Sequence, residues 1–553
     1  MSLLRSRSRG RTRWGLWLPL VGVFACALSA ISLAVIGTIM SESVDEEDDD
    51  LLTITYGLTL LPSGFDPHIH RSAELGIPLH SVYDTLVYRH PETLEFVAGL
   101  ADEWEVSENG LIYTFRLKEG VFFHDGTPFN ADAVAVTFDR IIAPETGSQK
   151  ALALLGPYAG HRAVDAYTFE LQLSEPYAPL LDALSQPYFG IASPTALANT
   201  TNATYQYHQV GTGPFEMVEY IPGDRFVIKR NPDYNWGPVY LASYTDTSVE
   251  RVIFRFYELP ETRRIALEAG DVDLVGELPP TDADLILRNQ DFRIHQELIP
   301  GQPLQFFFNT AKFPTDDIRI RQALLYATNR EAVVGTVFFD QFSPMAYGPL
   351  SAATQFYDPA MQTLYPHSLE RANTIFESAG VEDSDGDNIL DLNGEPLRLK
   401  VVFMGFGFLP EVSQLLESQW REIGLEVELV QLGSFADLRE YAESGDFNLI
   451  AFNDFGVDPA FINRFYLSSG DSNWTRFSDP ELDGWLIEAT RTTDLETRQE
   501  LYSAIQRRIM EQGLILPIRD YVNLVGITTR LDGLIYAAHG WWPLLSNLVV
   551  DSP

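Results

Sequence analysis

The chain has 553 residues, 45% of them apolar and 12% aromatic, with 77 Asp and Glu against 38 Lys and Arg, a formal net charge of -39 and one cysteine. At roughly 100 to 200 residues per domain this length predicts several domains with large packed cores. The charge argues against nucleic acid, which needs clustered Lys and Arg, and a lone Cys26 excludes an intrachain disulfide or a cysteine metal cluster.

The first fifty residues form a separate object. Arg5, Arg7, Arg9, Arg11 and Arg13 are followed by 27 uncharged residues, Trp14 to Met40. As a helix that stretch reaches roughly 40 Å, more than the hydrocarbon core of about 30 Å. An uncleaved signal anchor is the favoured reading, with the Arg-rich flank on the cytoplasmic side and the rest of the chain across the membrane. Two alternatives stay open: cleavage after Ala27, within Ala25-Cys26-Ala27, and lipid attachment at Cys26 in Val23-Phe24-Ala25-Cys26. Ser41 to Asp50 holds seven acids in ten residues and reads as a solvated spacer.

Beyond it, residues 51–60 read as an opening strand, and Leu111 to Leu117 alternates Tyr113 and Phe115 with Thr114 and Arg116 as a half-buried one. Asn130 reads as the cap of a helix carrying Val134, Phe138, Ile141 and Ile142, closed by Pro144. Residues 397–455 give the clearest pattern. It comprises a strand Leu397–Met404, a helix near Glu411–Ile423, a strand through Leu425, Val427 and Leu429, a helix near Phe435–Glu443 and a strand Phe447–Phe452. Such a β-α-β-α-β unit makes a parallel sheet whose ligands bind beyond the carboxyl ends of its strands, here residues 405–408, 432–434 and 453–458.

Catalytic signatures are missing from the sequence: no phosphate-binding loop, nucleophile elbow, His-Glu-x-x-His pair or dinucleotide fingerprint occurs. His68 and His70 are a two-residue metal candidate without a third ligand. Asp383, Asp385, Asp387 and Asp391, with the Ile389 carbonyl, are spaced as calcium ligands are. The match is partial, because Asn388 stands where such a loop has its turn glycine and Gly394 where it has a bidentate Glu. The competing reading is a solvated turn.

Five passages, taken in order, give the chain a resemblance. They are Gly99-Leu-Ala-Asp-Glu-Trp-Glu-Val-Ser continuing through Gly110 to Val134 with His124-Asp-Gly-Thr-Pro128; Gly211-Thr-Gly-Pro-Phe215 with Arg230-Asn-Pro-Asp-Tyr234; Arg264 to Leu274; Phe308-Asn-Thr with Asp317 to Arg330; and Phe477 to Asp483. Over residues 52–550 the chain resembles the extracellular solute-binding proteins of family 5, the peptide-type receptors of ATP-binding-cassette importers. Taken singly, these blocks are turn chemistry and mark scaffold rather than site.

The resemblance implies an α/β, two-lobed periplasmic-binding-protein-like fold of the large cluster C type with an extra subdomain. Lobe I would take 51–302 with 527–553, including a peripheral subdomain at 95–205, and lobe II would take 303–526, with crossings near 300–305 and 525–530. It implies that Arg71, Ser72 and Ala73 lend backbone to an extended peptide and that Asp454, ahead of Asp458-Pro459, meets its ammonium, although the spacing is one residue longer than in relatives. Phe406, Phe408, Phe452, Asn453, Tyr466 and Trp474 are candidate pocket walls. The expected protein is a monomeric, non-enzymatic capture receptor of the cell envelope, tethered through its N-terminal helix. It would close about a hinge on a peptide and deliver it to ABC permease subunits, with no cofactor beyond a candidate structural calcium. An oligosaccharide or other small solute on the same scaffold, a secreted glycoside hydrolase using two carboxylates, and a surface receptor without an importer are the alternatives.

Overall fold

The computed structural model describes residues 51–59, 63–241, 245 and 248–550; the expected anchor, Cys26 and the acidic spacer lie outside them. Among the described residues, no helix is long and apolar enough to cross a membrane.

Two sheets carry the fold. The larger has seven strands in the order Phe292–Leu298, Val522–Thr528, Leu274–Val275, Thr53–Leu58, Arg251–Phe256, Arg225–Arg230, Phe215–Ile221. Thr53–Leu58 runs parallel to both of its neighbours. The second sheet has five strands in the order Glu426–Leu432, Arg398–Met404, Leu449–Ala451, Leu304–Phe308, Ile515–Arg519. Its first three are parallel, joined by helices Leu409–Glu422 and Phe435–Ser444, so the β-α-β-α-β pattern at 397–455 folds as its periodicity predicts. Each sheet has its own core. Tyr56, Phe65, Phe226 and Phe254 lie in the first; Phe306, Phe307, Val402, Trp420 and Ile450 lie in the second. A four-stranded antiparallel sheet built from Ala101–Val106, Ile112–Leu117, Thr168–Leu173 and Tyr158–Asp165 adds Tyr113, Phe115 and Phe169 to the first core. Its flanking helix Ala131–Ile142 is capped as expected, Asn130 accepting from the Ala133 N–H at 3.0 Å.

The two crossings between the sheets run side by side. Phe292–Leu298 pairs antiparallel with Val522–Thr528 on one side, and Leu304–Phe308 pairs with Ile515–Arg519 on the other. Between them the Ile299 N–H donates to the Tyr521 carbonyl at 2.8 Å. The second crossing is therefore at Asp520–Tyr521, ahead of the 525–530 expected from sequence. Val522–Thr528 matches Phe292–Leu298 residue for residue and belongs wholly to the first sheet.

Two of the passages that carry the family resemblance, the one from Gly99 to Val134 and the one from Gly211 to Tyr234, meet around one buried carboxylate. Asp84 accepts four hydrogen bonds: from Tyr88 (2.6 Å) and Tyr234 (2.9 Å) on Oδ1, and from Thr212 (2.9 Å) and Trp236 (3.0 Å) on Oδ2. Burial pushes its pKa up and the four donors oppose that shift. Thr212 lies between Gly211 and Gly213, where an added Cβ would stand 2.1 Å from the Val82 carbonyl oxygen and 2.5 Å from that of Ser81. Only glycine lets that strand-like turn approach so closely. The Leu100 and Ala101 N–H groups donate to Thr85 and Leu86, and His124 donates through its backbone N–H to Gly211. Asp84→Asn places an NH2 donor against two of these four donors. It is expected to cost about 2–4 kcal/mol of stability, read as a lowered denaturant midpoint with unchanged slope.

Candidate functional site

The carboxyl ends of the three parallel strands of the second sheet carry a row of aromatic rings. Phe406 follows Met404, Phe435 follows Leu432 and Phe452 follows Ala451. Ring centroids step from Phe406 to Phe435 (5.9 Å), Phe435 to Phe452 (6.4 Å), and Phe452 to Trp474 (5.0 Å). Phe406 and Phe435 are 54% and 60% exposed, so the row begins at the surface and ends in the core. Gly407 (φ 66°) and Phe408 (φ 65°) turn the chain through the left-handed region, a conformation that is costly for Phe. The Phe408 ring packs on Phe338 at 5.6 Å. Tyr466 is buried beside Phe307 rather than on the row's open side. Phe435 was not singled out from sequence. It opens a helix directly after the Ser434 cap, a position that a strand-end reading reaches once the helix start is fixed.

Asp454 and Asn453 stand at the same lip. The Asp454 N–H donates to Gln302 Oε1 (3.1 Å), and the Gln302 N–H donates to the Asp454 carbonyl (2.8 Å), fastening this loop to the first crossing. Of the Asp454 carboxylate, Oδ1 accepts from the Phe455 N–H at 2.9 Å, and Oδ2 lies 3.5 Å from Arg464. The Asn453 side chain accepts from the Tyr521 hydroxyl at 2.9 Å.

On the first lobe, Arg71, Ser72 and Ala73 precede the helix Gly76–Val82. All three of their carbonyls are engaged: the Tyr188 hydroxyl lies 3.1 Å from that of Ser72 and 3.5 Å from that of Arg71, and the Trp542 indole donates to that of Ala73 (3.0 Å). Their N–H groups donate to no acceptor among the described residues. A Cβ at Gly76 would meet the Trp542 indole at 2.3 Å, so this glycine seats the tryptophan that holds the segment. Ser72 hydrogen-bonds Glu74, and Glu74 in turn bears on Glu277 at the carboxyl end of Leu274–Val275. Burial, reinforced by Glu74, pushes the Glu277 carboxyl up to about 7, against the nearby Arg263. Its backbone sits at φ 50°, its N–H on Asn523 (2.9 Å) and its carbonyl on Arg263 (2.8 Å).

The lobes touch away from the crossings as well. Arg89, whose guanidinium faces Asp182 at 2.6 Å, reaches across to Gln355 Oε1 (3.1 Å); Arg491 pairs with Glu175 (2.7 Å), and the Ala178 N–H donates to the Thr490 carbonyl (2.8 Å). Within lobe II, Arg498 holds Asp458 in a buried two-pronged pair (2.7 and 2.9 Å). Burial raises the Asp458 pKa, but Arg498 outweighs it and keeps the carboxyl below its usual range.

Two sheets joined by paired crossings, with strand ends facing a cleft, are the geometry of a two-lobed binding protein. The model of the bacterial extracellular solute-binding proteins, family 5 (middle part), matches residues 95–475. The chain belongs to this family. It is similar to heme-binding protein A of Haemophilus influenzae, with 27% identity over 522 residues, covering 88% of this chain and 91% of that protein. It is also similar to the dipeptide-binding protein of Escherichia coli, with 25% identity over 549 residues, covering 93% and 96%. Among solved structures, NikA from Brucella suis in complex with Fe(III)-EDTA superposes with a TM-score of 0.78 at 22% identity, covering 90% of this chain and all of that one. The two-lobed α/β fold is thus shared across the family 5 protein's described length.

The other sequence candidates fall outside this cleft lining. His68 is fully buried, its Nε2 on the Gly190 carbonyl (2.8 Å) and its Nδ1 on Arg140 (2.7 Å). Burial and Arg140 push its pKa down to about 4, and with both ring nitrogens occupied it is a neutral core histidine rather than a metal ligand. In the acidic loop, Asp383, Asp385 and Asp391 bring carboxylate oxygens within 4.8 Å of one another. Asp387 is not among them; its Oδ1 accepts from the Ile389 N–H at 2.7 Å. Asn388 adopts the left-handed backbone (φ 71°) that the missing glycine would have taken. The three converging oxygens fit a hard cation; Asp383 also caps the Gly386 and Asn388 N–H groups, and Asp391 accepts from Ser384.

Glu277 gives a pH test. Its folded pKa exceeds that of an unfolded glutamate, so the native state binds the proton more tightly and stability from this group falls as pH rises from about 4.5 to about 7. Glu277→Gln is expected to stabilise the protein by about 1–2 kcal/mol at pH 8 and by little at pH 5, measured as paired urea denaturations at the two pH values.

Proposed function

We propose that this solute-binding protein is the capture receptor of an ABC importer and takes a peptide in the cleft between its lobes. Asp454 carries the reading: a partly exposed carboxylate at the lip, with one oxygen held by backbone and the other facing Arg464 across a long 3.5 Å, retains capacity for a ligand ammonium. The N–H groups of Arg71, Ser72 and Ala73 offer main-chain donors from the opposite lobe, which supports an extended ligand bound largely through its backbone. Phe406, Phe452 and Trp474 would wall the space for side chains. Arg89–Gln355, Arg491–Glu175 and Ala178–Thr490 are contacts that belong to a closed form, which a ligand touching both lobes would favour.

The receptor would work as a monomer in the cell envelope, its basic, apolar N-terminal segment anchoring it and the acidic spacer holding it clear of an anionic surface. The exposed Phe406 and Phe435 rings favour a second reading, an oligosaccharide stacked on the row. Native mass spectrometry of the protein purified from a rich extract is expected to find co-purified peptides, and a bound oligosaccharide in their place would overturn the peptide reading. Asp454→Asn is expected to weaken free-amine peptides by about tenfold or more while sparing N-acetylated ones; equal weakening of both rejects the ammonium role.

Asp383, Asp385 and Asp391 would hold a structural calcium, which supplies positive charge between carboxylates that otherwise repel. Calcium is expected to raise the melting temperature of the unmodified protein and to leave Asp385→Asn unchanged. A melting temperature indifferent to calcium dismisses the site.

A further inference from the structure

Three Asn-x-Thr triplets with a middle residue other than proline occur along the chain: Asn199-Thr200-Thr201, Asn202-Ala203-Thr204 and Asn473-Trp474-Thr475. This is the pattern at which an oligosaccharide is attached to an asparagine amide on the surface of an exported protein, the hydroxyl two residues on being part of what the transferase recognises. As triplets the three are equivalent. Their surroundings separate them.

Asn473 is committed to the interior of lobe II. Its Nδ2 donates to the Leu467 carbonyl (3.1 Å) and to the Phe477 carbonyl (2.8 Å), which uses both amide hydrogens. Its Oδ1 accepts from the Thr475 hydroxyl (2.7 Å), that threonine is fully buried, and Trp474 between them packs on Phe452 and Phe465. A sugar on this amide would break bonds that hold a core turn together. Asn202 is half-buried and also held: its Oδ1 accepts from Arg140 Nη2 (3.3 Å) and its Nδ2 donates to the Glu145 carbonyl (3.0 Å). Arg140 is in turn the partner of Asp66 and His68, so Asn202 closes the rim of a buried polar network.

Asn199 differs. It is exposed, and its side-chain amide makes no hydrogen bond among the described residues. Its backbone N–H reaches the Thr195 (3.2 Å) and Ala196 (3.3 Å) carbonyls, which makes it the C-cap of the helix Pro194–Ala198. Thr201 is exposed as well, its hydroxyl 3.0 Å from that of Thr204. The five-residue helix before them has no fully buried residue. One turn of that kind has little stability of its own, so Asn199–Thr201 can be drawn out into a transferase without unpacking a core. Both groups that the triplet must present, the amide and the hydroxyl two residues on, therefore stand on the surface of the peripheral subdomain of lobe I.

We propose that Asn199 is an N-glycosylation site, its side-chain amide receiving an oligosaccharide from a polyprenyl-phosphate-linked donor. The bond from Nδ2 forms at the anomeric carbon of the first sugar and the bond from that carbon to the phosphate oxygen breaks. The electron pair of the broken bond leaves with the phosphate, and one amide proton passes to a base of the transferase. The assignment rests on export of the globular part, as proposed above. The full-length protein would be purified from the cells that make it, digested, and read by mass spectrometry with electron-transfer fragmentation, while protease applied to protoplasts reports whether the protein is exposed. The peptide holding Asn199 is expected to carry one oligosaccharide on that residue. Asn199→Gln and Thr201→Ala remove it, Thr201→Ser keeps it, and Thr204→Ala leaves it unchanged. A bare Asn199 on protein that the protease reaches, a glycan at Asn202 or Asn473 in its place, or a glycan that survives Thr201→Ala overturns the proposal while leaving solute capture standing. A bare Asn199 on protein that the protease does not reach overturns the proposal and the export reading together.

Discussion

A buried carboxylate with four donors organises lobe I. Asp84 ties together the end of the Gly76–Val82 helix, the Gly211–Phe215 turn and the Tyr234–Trp236 segment, the last two lying more than a hundred residues further along the chain. Its value is specificity of placement rather than net attraction, because removing an ion from water costs several kcal/mol before any bond is regained. Once Asp84 is fixed, Gly211 and Gly213 must be glycine, Leu100 and Ala101 hang from Thr85 and Leu86, and Tyr83 and Gly190 are pressed together. Arg71–Ala73 come just before the same helix, so the scaffold hub and this segment are a few residues apart along the chain.

Much of this was readable from residues, for reasons that differ between parts. The β-α-β-α-β unit was legible because Leu449–Ala451 and most of Arg398–Met404 are buried apolar runs, the edge strand Glu426–Leu432 opens with exposed Glu alternating with apolar residues, and the helices carry an apolar stripe. The resemblance marked scaffold, and the contacts of Thr212, Tyr234 and His124 give the physical reason. The second crossing was placed too late because Val522–Thr528 is a largely buried strand whose sequence suits either sheet; only its pairing with Phe292–Leu298 decides. Phe435 was passed over because nothing local distinguishes an exposed helix-start Phe from a core one. Partnership is a property of three dimensions.

Charge distribution sharpens the picture of the cleft. The protein is strongly acidic overall, and lobe I contributes Glu74 and Glu277 close to each other at its strand ends. Lobe II answers with an aromatic row and, at Asp454, a carboxylate faced by Arg464.

The paired crossings bear on how such a solute is sensed. Two single-chain linkers placed apart would let one lobe tilt, twist and slide independently. Here adjacent antiparallel strands pass from sheet to sheet as one ribbon, bonded at Ile299–Tyr521 and anchored on either side by Ser351 on the Ile299 carbonyl and Thr354 on the Gly301 N–H. A ribbon of that kind resists shear in its own plane and yields mainly by bending out of it. Under the capture reading proposed above, closure would then reduce to nearly a single coordinate, the opening angle, and a partner docking on the closed form would sense cargo through that angle alone.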